Sequence, residues 1–339
     1  MNIVITGGAG FLGVRLARAL LQQNSLSLAG GPAQTISRLT LLDRAAPPPD
    51  LAADARVKAV IGDLNALLEP PASRAIPADT DLVFHLAAAV SGECEADFDL
   101  GMHSNLEATR ALLQACRALK TRPTLVFASS LAVFGNSPEQ PLPAVITDTT
   151  LPTPQSSYGI QKFIGEQLVA DYARKGFIRG RSVRLMTVSV RPGRPNGAAS
   201  SFLSGMIREP LAGQKAPCPV PAETPVALSS PGRTIEGLLR AAQASDIDWG
   251  ARTAINLPAL KTTAGEMAAA LERVAGAATA GLIDWTPDPA INRIVTTWPA
   301  QVDAARARGL GLLPDESFEA IVRAYVRENP DAVTQALQP

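Results

Sequence analysis

The feature that most constrains the fold is a glycine-rich turn between a short apolar run and a helical pattern. The run Asn2–Thr6 is typical of a buried strand, and residues 11–22 follow the pattern of a helix. Glycines recur at every third position through the turn. One glycine allows a tight turn, one allows a phosphate to approach the backbone, and one allows the helix to pack closely on the strand. The helix N-terminus would add free N–H groups for phosphates. We therefore expect nucleotide contacts from Gly7, Gly10, Phe11, Leu12 and Gly13.

The first half of the chain alternates β-branched runs with helical patterns, which predicts parallel βαβ units. The continuous apolar character of the runs suits strands that are covered on both faces. The predicted strands are residues 2–6, 39–43, 57–61, 82–87, 124–128 and 183–190, and the predicted helices include 11–22, 96–119 and 157–175. The fold class is therefore α/β, with a doubly wound parallel sheet.

The pattern changes after residue 190, where prolines and a glycine interrupt regular structure at 191–195. We expect a nucleotide-binding domain at 1–190, rejoined by about 225–260, and a smaller, mostly helical substrate lobe at 191–224 and 261–339. Strands are predicted near 225–229 and 253–257, and the first is the candidate for a return to the main sheet. The segments 24–37, 45–50 and 137–155 are predicted as loops, and the prolines of 45–50 argue against a helix there.

Asp43 indicates which dinucleotide the turn would bind. It ends the second predicted main-sheet strand, where a carboxylate can accept hydrogen bonds from ribose hydroxyls and repel a 2′-phosphate. Arg44 is a counter-signal, because an arginine can accommodate that phosphate. The negative charge of Asp43 would lie on the same ribose edge, so NAD is favoured over NADP.

A candidate catalytic group follows the nucleotide-binding half. Tyr158 is one of only three tyrosines, and Lys162 lies four residues later, on the same face of a predicted helix. An ammonium near a phenol favours the phenolate and lowers its pKa, which gives a general base. Ser130 ends the fifth predicted strand, at the carboxyl edge where ligands bind, and could hold a substrate oxygen. Ser129 is the competing choice for that role.

Composition narrows the class of partner. Lysine plus arginine and aspartate plus glutamate both number 31, so no bulk field attracts nucleic acid or an anionic membrane, and a small molecule is the expected ligand. The three cysteines have no metal-type spacing, which favours a reducing compartment. The chain runs from Met1 directly into a strand without a leader pattern, and no apolar run reaches about 20 residues. We therefore expect a cytoplasmic protein.

Together these motifs resemble the extended short-chain dehydrogenase/reductase family, and the likeness covers nearly the whole chain. Further segments that carry it are 62–64, 85–88 and 129–135. The resemblance implies a Rossmann fold, catalysis by Ser130, Tyr158 and Lys162, and a cofactor contact from Lys162 to the nicotinamide ribose. It places Asp63 and Leu64 at the adenine and adds Ala87, Ala88, Asn105, Tyr158 and Pro192 to the cofactor contacts. Phe134 departs from the family, which commonly has tyrosine there, and this weakens a nucleotide-sugar assignment.

Segments 89–93, 96–102, 189–200 and 207–213 resemble a branch of that family that oxidises a short sugar acid. The resemblance implies NAD-linked oxidation of the C2 hydroxyl of D-erythronate, with Ser130 and Tyr158 at the reacting oxygen and Ser91 and Asn196 at other hydroxyls. A carboxylate substrate needs a cation or several N–H donors. Arg233 is the candidate, followed by Arg194 and Arg208.

Two rival hypotheses remain. A nucleotide-sugar epimerase or dehydratase would share the cofactor and the catalytic group but would need a larger pocket. An NAD-binding sensor without activity would commonly lose the Tyr–Lys pair, which is intact here. A homodimer through helices 96–119 and 157–175 is common in the family.

Overall fold

The computed structural model describes residues 1–70, 75–195 and 197–338. The strands are β1 Asn2–Thr6, β2 Ser25–Ser27, β3 Ala33–Thr35, β4 Arg38–Asp43, β5 Val57–Ile61, β6 Leu82–His85, β7 Thr124–Ser130, β8 Ile146–Thr147, β9 Arg179–Leu185, β10 Thr187–Val188, β11 Ala216–Pro217, β12 Pro225–Ser229, β13 Ile255–Asn256, β14 Leu260–Thr263, β15 Ile283–Asp284 and β16 Val302–Asp303.

The α-helices are α1 Phe11–Gln23, α2 Pro49–Ala52, α3 Leu64–Leu68, α4 Ser91–Ala96, α5 Phe98–Gly101, α6 Ala108–Arg117, α7 Ser157–Arg174, α8 Phe202–Leu211, α9 Pro231–Gln243, α10 Asp246–Trp249, α11 Ala264–Ala280, α12 Pro289–Val295, α13 Ala305–Gly309 and α14 Phe318–Glu328. A π-helical segment spans Met102–Glu107, and 3₁₀ turns span Leu131–Val133 and Pro330–Ala332.

A seven-stranded parallel sheet organises the larger part of the molecule, in the order β13-β9-β7-β6-β1-β4-β5. Alternate residues of its strands pack into two separate cores. Along β7, Val126 and Ala128 join the core that contains α1 and α9, whereas Leu125 and Phe127 join the core that contains α6 and α7. The sheet is therefore covered on both faces, which explains why its strands are continuously apolar.

A smaller lobe has its own core, built mainly from α8, α11 and α14. Its three-stranded sheet has the order β10-β12-β14, with β10 parallel and β14 antiparallel to β12. The chain then returns to the larger part: α9 packs in the core with α1, and β13 pairs with β9 at the edge of the main sheet. Ala304 and Ala307, at α13, belong to the same core.

The α/β fold class and the doubly wound parallel sheet predicted from the sequence are confirmed. The predicted return of 225–229 to the main sheet is wrong, because β12 pairs in the small sheet and β13 makes the return. The predicted helix 96–119 is interrupted, since its residues run from the last residue of α4 through α5 and the π-helical segment into α6. Helix α2 begins within the segment predicted as non-helical, because proline is tolerated in the first turn of a helix.

Two predicted loops contain short strands. Segment 24–37 forms the antiparallel pair β2–β3, and segment 137–155 contributes β8, which pairs with β16. Among the described residues, no helix combines the length and the apolar character that crossing a membrane requires.

Candidate active site

The turn from β1 to α1 is built as the glycine spacing predicts. Gly7 has a φ of +70°, a conformation that disfavours other residues. A Cβ on Gly13 would lie 2.1 Å from the carbonyl oxygen of Gly7, so the helix could not pack this closely on the turn with any larger residue. Gly10 is the N-cap residue of helix α1, and no side chain caps the helix there. Its first N–H groups are therefore available to an anion, and the dipole of the helix favours one there.

Asp43 connects the end of β4 to this turn. Its carboxylate accepts hydrogen bonds from the backbone N–H of Ala9 at 3.0 Å and of Ala45 at 3.1 Å. A carboxylate has about four acceptor positions, so Asp43 can still accept hydrogen bonds from a ribose. Arg44, the counter-signal in the sequence, forms an ion pair with Asp63. The charge that could have attracted a 2′-phosphate is thus already paired, and the site fits NAD.

One cavity of about 640 Å³ joins this turn to the candidate catalytic group. Residues predicted at the two ends of a dinucleotide therefore share a single continuous space. The predicted residues that line it are Gly7, Gly10, Phe11, Leu12, Gly13, Asp43, Asp63, Leu64, Ala87, Ala88, Ser91, Ser130, Tyr158, Lys162 and Pro192.

Ser130 and Tyr158 meet because a glycine lets α7 approach the end of β7. Ser156 caps α7 by accepting a hydrogen bond from the N–H of Gly159 at 3.1 Å. A Cβ on Gly159 would lie 2.1 Å from the carbonyl oxygen of Ala132, in the 3₁₀ turn that follows Ser130. The side chain of Tyr158 lies close to Ser130, which acts to lower the pKa of the phenol. Gly159 was not singled out from the sequence, although its position between Tyr158 and Lys162 was visible.

Lys162 is buried one helical turn beyond Tyr158. Its Nζ donates a hydrogen bond of 2.9 Å to the carbonyl oxygen of Ala128 and lies 5.7 Å from the centroid of the Tyr158 ring. Burial lowers the pKa of Lys162 to about 8. Burial also raises the pKa of Tyr158 to about 12, against the opposing effect of Ser130. The lowering of the phenol pKa predicted from Lys162 is not found in the protein alone, because desolvation outweighs the opposing effects of Ser130 and Arg191.

Ser129 faces away from Ser130, as successive residues of a strand must. Its hydroxyl donates a hydrogen bond of 2.5 Å to Glu166 on α7. Glu166 in turn accepts two hydrogen bonds from Arg184 on β9. Ser129 also borders the cavity, but its hydroxyl is committed to this buried group. The alternative left open by the sequence therefore favours Ser130.

Asn105 is buried in the π-helical segment and is not among the described residues that line the cavity. Its side chain accepts from the N–H of Ala89 at 2.8 Å, and donates to the carbonyl oxygen of Ala89 at 3.2 Å and to Gln161 at 2.8 Å. It thereby holds the loop after β6, whose residues Ala87 and Ala88 do line the cavity. These bonds fix the loop beside the cavity, and a direct contact of Asn105 with the nucleotide stays a prediction.

The structure does not bring Arg233 into this group. Its guanidinium pairs with Glu236 at 2.8 Å, and Arg233 is not among the described residues that line the cavity. Arg194 and Arg208 do line it, and so does Arg191, which was not proposed from the sequence. Ser91 accepts a hydrogen bond from the N–H of Ala199 at 3.1 Å. Asn196, predicted at a substrate hydroxyl, lies outside the described residues.

Comparison with known proteins agrees with this site. The chain is 52% identical over 329 residues to a D-erythronate dehydrogenase of Cupriavidus necator, covering 97% of this chain and 98% of that protein. It is 41% identical over 327 residues to a D-erythronate dehydrogenase of Haemophilus influenzae, covering 96% and 99%.

Solved structures share the fold. A nucleoside-diphosphate-sugar epimerase from Agrobacterium tumefaciens superposes with a TM-score of 0.87 at 39% identity, covering 98% of this chain and 95% of that one. An L-threonine 3-dehydrogenase from Trypanosoma brucei gives a TM-score of 0.79 at 23% identity, covering 97% of each chain, which concerns the fold alone. Residues 3–227 match the model of the NAD dependent epimerase/dehydratase family. With its glycine turn, its acidic ribose position and these relatives, the chain belongs to the NAD dependent epimerase/dehydratase family, and its cofactor is NAD.

Proposed function

We propose that this NAD-dependent oxidoreductase converts D-erythronate to 2-oxo-D-erythronate. One observation carries the chemistry: the neighbouring side chains of Ser130 and Tyr158 border the same cavity as the uncapped N-terminus of α1. The names of the two nearly full-length relatives support the substrate.

In the proposed mechanism the C2 hydroxyl of the acid lies between Ser130 and Tyr158. Ser130 holds the oxygen, and the Tyr158 oxygen removes its proton as the C2–O bond becomes a carbonyl. Lys162 keeps positive charge beside this group, with its Nζ anchored on the Ala128 carbonyl oxygen. NAD, when bound in the cavity, would supply the acceptor for the hydride of C2, and the positive charge of its nicotinamide ring would favour the ionised phenol. The reaction thus removes one hydride and one proton and yields NADH.

The test offers NAD and four acids to the full-length chain: D-erythronate, L-erythronate, D-threonate and L-threonate. NADH formation is followed by absorbance, with NADP as the cofactor control. Reduction of NAD with D-erythronate well above the other acids supports the proposal. Equal or absent activity across the panel contradicts it.

A nucleotide-sugar epimerase is the second candidate, because the 39% identical solved structure carries that description. Such an enzyme must also hold a base and a pyrophosphate. Uridine diphosphate sugars are therefore tested for binding and for conversion in the presence of NAD. Tight binding of a nucleotide sugar, with no oxidation of any acid, would favour this candidate.

We also propose a homodimer through α5 and α7, supported by the apolar side chains of Phe98, Ile160 and Ile164, which are 60%, 47% and 37% exposed. Light scattering of the wild type should give twice the chain mass, and Ile164→Lys should give the single mass. A monomeric wild type would contradict this.

A reducing location such as the cytoplasm is proposed as well, supported by three buried free thiols, Cys94, Cys116 and Cys218.

A further inference from the structure

Arg191 presents an uncompensated positive charge to the substrate end of the cavity. It follows β10 by three residues and lines the cavity together with Ser130 and Tyr158. Within the described ranges, its guanidinium has no ion-pair or hydrogen-bonding partner. Of the other arginines that line the cavity, Arg44 pairs with Asp63 and Arg208 with Glu209. Arg194 has no described carboxylate partner but is exposed, whereas Arg191 is half-buried in the cavity wall.

The backbone of Arg191 is held on both sides. Its N–H donates to Ser204 Oγ at 3.0 Å, and its carbonyl oxygen accepts from Arg208 Nη1 at 2.7 Å. Arg208 itself pairs with Glu209 at 2.5 Å, so its own charge is balanced within the protein. Of these two neighbours, Arg191 alone is left with a charge for an incoming anion to balance.

Arg191 is also close enough to the catalytic group to matter. Burial lowers the pKa of Arg191, as does the neighbouring Arg208, whereas Tyr158 acts in the opposite direction. Arg191 and Tyr158 therefore interact electrostatically. In a 2-hydroxy acid the carboxylate is bonded directly to the carbon that bears the reacting hydroxyl. A cation for that carboxylate must consequently lie near Tyr158 and Ser130. Arg191 lines their cavity and interacts with Tyr158, whereas Arg233 pairs with Glu236 and is not among the described lining residues.

We propose that Arg191 binds the carboxylate of the substrate and makes the enzyme selective for 2-hydroxy acids over neutral polyols and amides. The inference rests on the proposed function and adds the residue that determines the substrate class. A planar guanidinium can donate two parallel hydrogen bonds to a carboxylate, which fixes the orientation of C2 as well as its charge. Because Glu209 pairs with Arg208, it does not occupy the guanidinium of Arg191.

The experiment compares the full-length wild type with Arg191→Gln, Arg191→Lys and a matched control, Arg240→Gln, which removes an exposed arginine of α9. Each is assayed with NAD and D-erythronate, and with D-erythronamide, which has the same hydroxyls and no charge. NAD binding is measured for each variant by protein fluorescence, and thermal unfolding checks the fold.

In Arg191→Gln we expect kcat/KM for D-erythronate to fall about 100-fold, mainly through KM, because a partner of a buried charged pair is lost. The amide should change less than about threefold, NAD binding should be unchanged, and Arg191→Lys should retain part of the activity. Arg240→Gln should behave as the wild type. Equal losses for acid and amide, or a shifted pH profile with an unchanged acid-to-amide ratio, would overturn the inference, since Arg191 would then act on the fold or on Tyr158.

Failure of the proposed function gives a different result. The same variants are therefore titrated with a panel of three- to six-carbon 2-hydroxy acids in the presence of NADH, with binding read from NADH fluorescence. If the wild type does not oxidise D-erythronate but binds another 2-hydroxy acid through Arg191, the substrate is wrong and the carboxylate site stands. If no acid binds in a way that depends on Arg191, the site is wrong whatever the substrate.

Discussion

The carboxylate of Glu166 accepts two hydrogen bonds from the guanidinium of Arg184, at 2.9 and 2.8 Å, in the buried layer beneath the candidate catalytic strand end. The side chains of the pair are only 2% and 5% exposed. Glu166 also accepts a hydrogen bond from the hydroxyl of Ser129, so one carboxylate connects α7, β7 and β9. Two of these elements, β7 and α7, carry Ser130, Tyr158 and Lys162 of the proposed chemistry.

Replacing Glu166 with alanine should leave the Arg184 charge buried and unpaired. We expect the free energy of unfolding to fall by about 3–5 kcal/mol, measured by urea denaturation. The control is Asp171→Ala, which breaks the exposed pair with Arg174 on the same helix and should cost about 0–1 kcal/mol. Similar losses in the two variants would show that the buried pair has no special structural weight.

Tyr158→Phe should remove the group that accepts the hydroxyl proton. We expect kcat to fall by about 10²–10⁴-fold with NAD binding unchanged, because the phenyl ring keeps the shape of the side chain. Tyr172→Phe, on the same helix but outside the cavity lining, is the matched control and should keep full activity. Normal turnover in Tyr158→Phe would remove Tyr158 from the mechanism.

Stability should decrease in mild acid because of His85. Burial, helped by Lys162, lowers the pKa of His85 to about 3. Its Nδ1 contacts Thr6 Oγ1 at 2.6 Å and its Nε2 contacts Thr109 Oγ1 at 2.9 Å, while the Thr109 hydroxyl donates to Asn105. This arrangement suits a neutral ring whose Nδ1 accepts a hydrogen bond from the Thr6 hydroxyl. A proton on Nδ1 would break that hydrogen bond.

Between pH 3 and about 6.5 the unfolded chain binds this proton and the folded chain does not. The free energy of unfolding should therefore fall as the pH falls through that window, by about 2 kcal/mol between pH 7 and pH 5 from this group. Urea denaturation at several pH values measures it. His85→Gln should lose that part of the pH dependence and His103→Gln should keep it; the opposite assignment would contradict the buried neutral ring.

Asp43→Asn should change the choice of cofactor, because it removes the negative charge near the ribose at nearly constant volume. We expect the ratio of kcat/KM for NAD to that for NADP to fall at least about 10-fold. The kcat/KM for NAD should also fall, because Asp43 accepts a hydrogen bond from the N–H of Ala9 in the glycine turn. An unchanged ratio would mean that another group determines the choice.

The parts of the site that sequence predicts well are those where a backbone demand restricts the residue type. Gly7 and Gly13 are needed because a Cβ at either position would meet backbone atoms, and that demand is visible as spacing. The carboxyl ends of parallel strands lie at the same edge of the sheet. The ends of β4 and β7 could therefore be assigned to one site from the sequence.

The parts that sequence could not predict depend on distant partners. The sequence alone does not distinguish Arg191 from Arg233. The difference is that Arg233 pairs with Glu236, whereas no described carboxylate pairs with Arg191. Asn105 was assigned to the nucleotide, although its hydrogen bonds hold the loop that does line the cavity. The strand-end rule applied to β10 would have drawn attention to Arg191, which lies just beyond that strand.

The return of α9, β13 and α13 to the larger part of the molecule limits how such an enzyme can be recombined. The chain passes between the two lobes more than once, so no single splice point separates cofactor binding from substrate binding. A chimera with one junction would separate β13 from β9, its neighbour in the main sheet. New substrate preferences on this scaffold should therefore arise by point substitutions in connecting loops, such as the one that carries Arg191, and seldom by exchange of a contiguous segment.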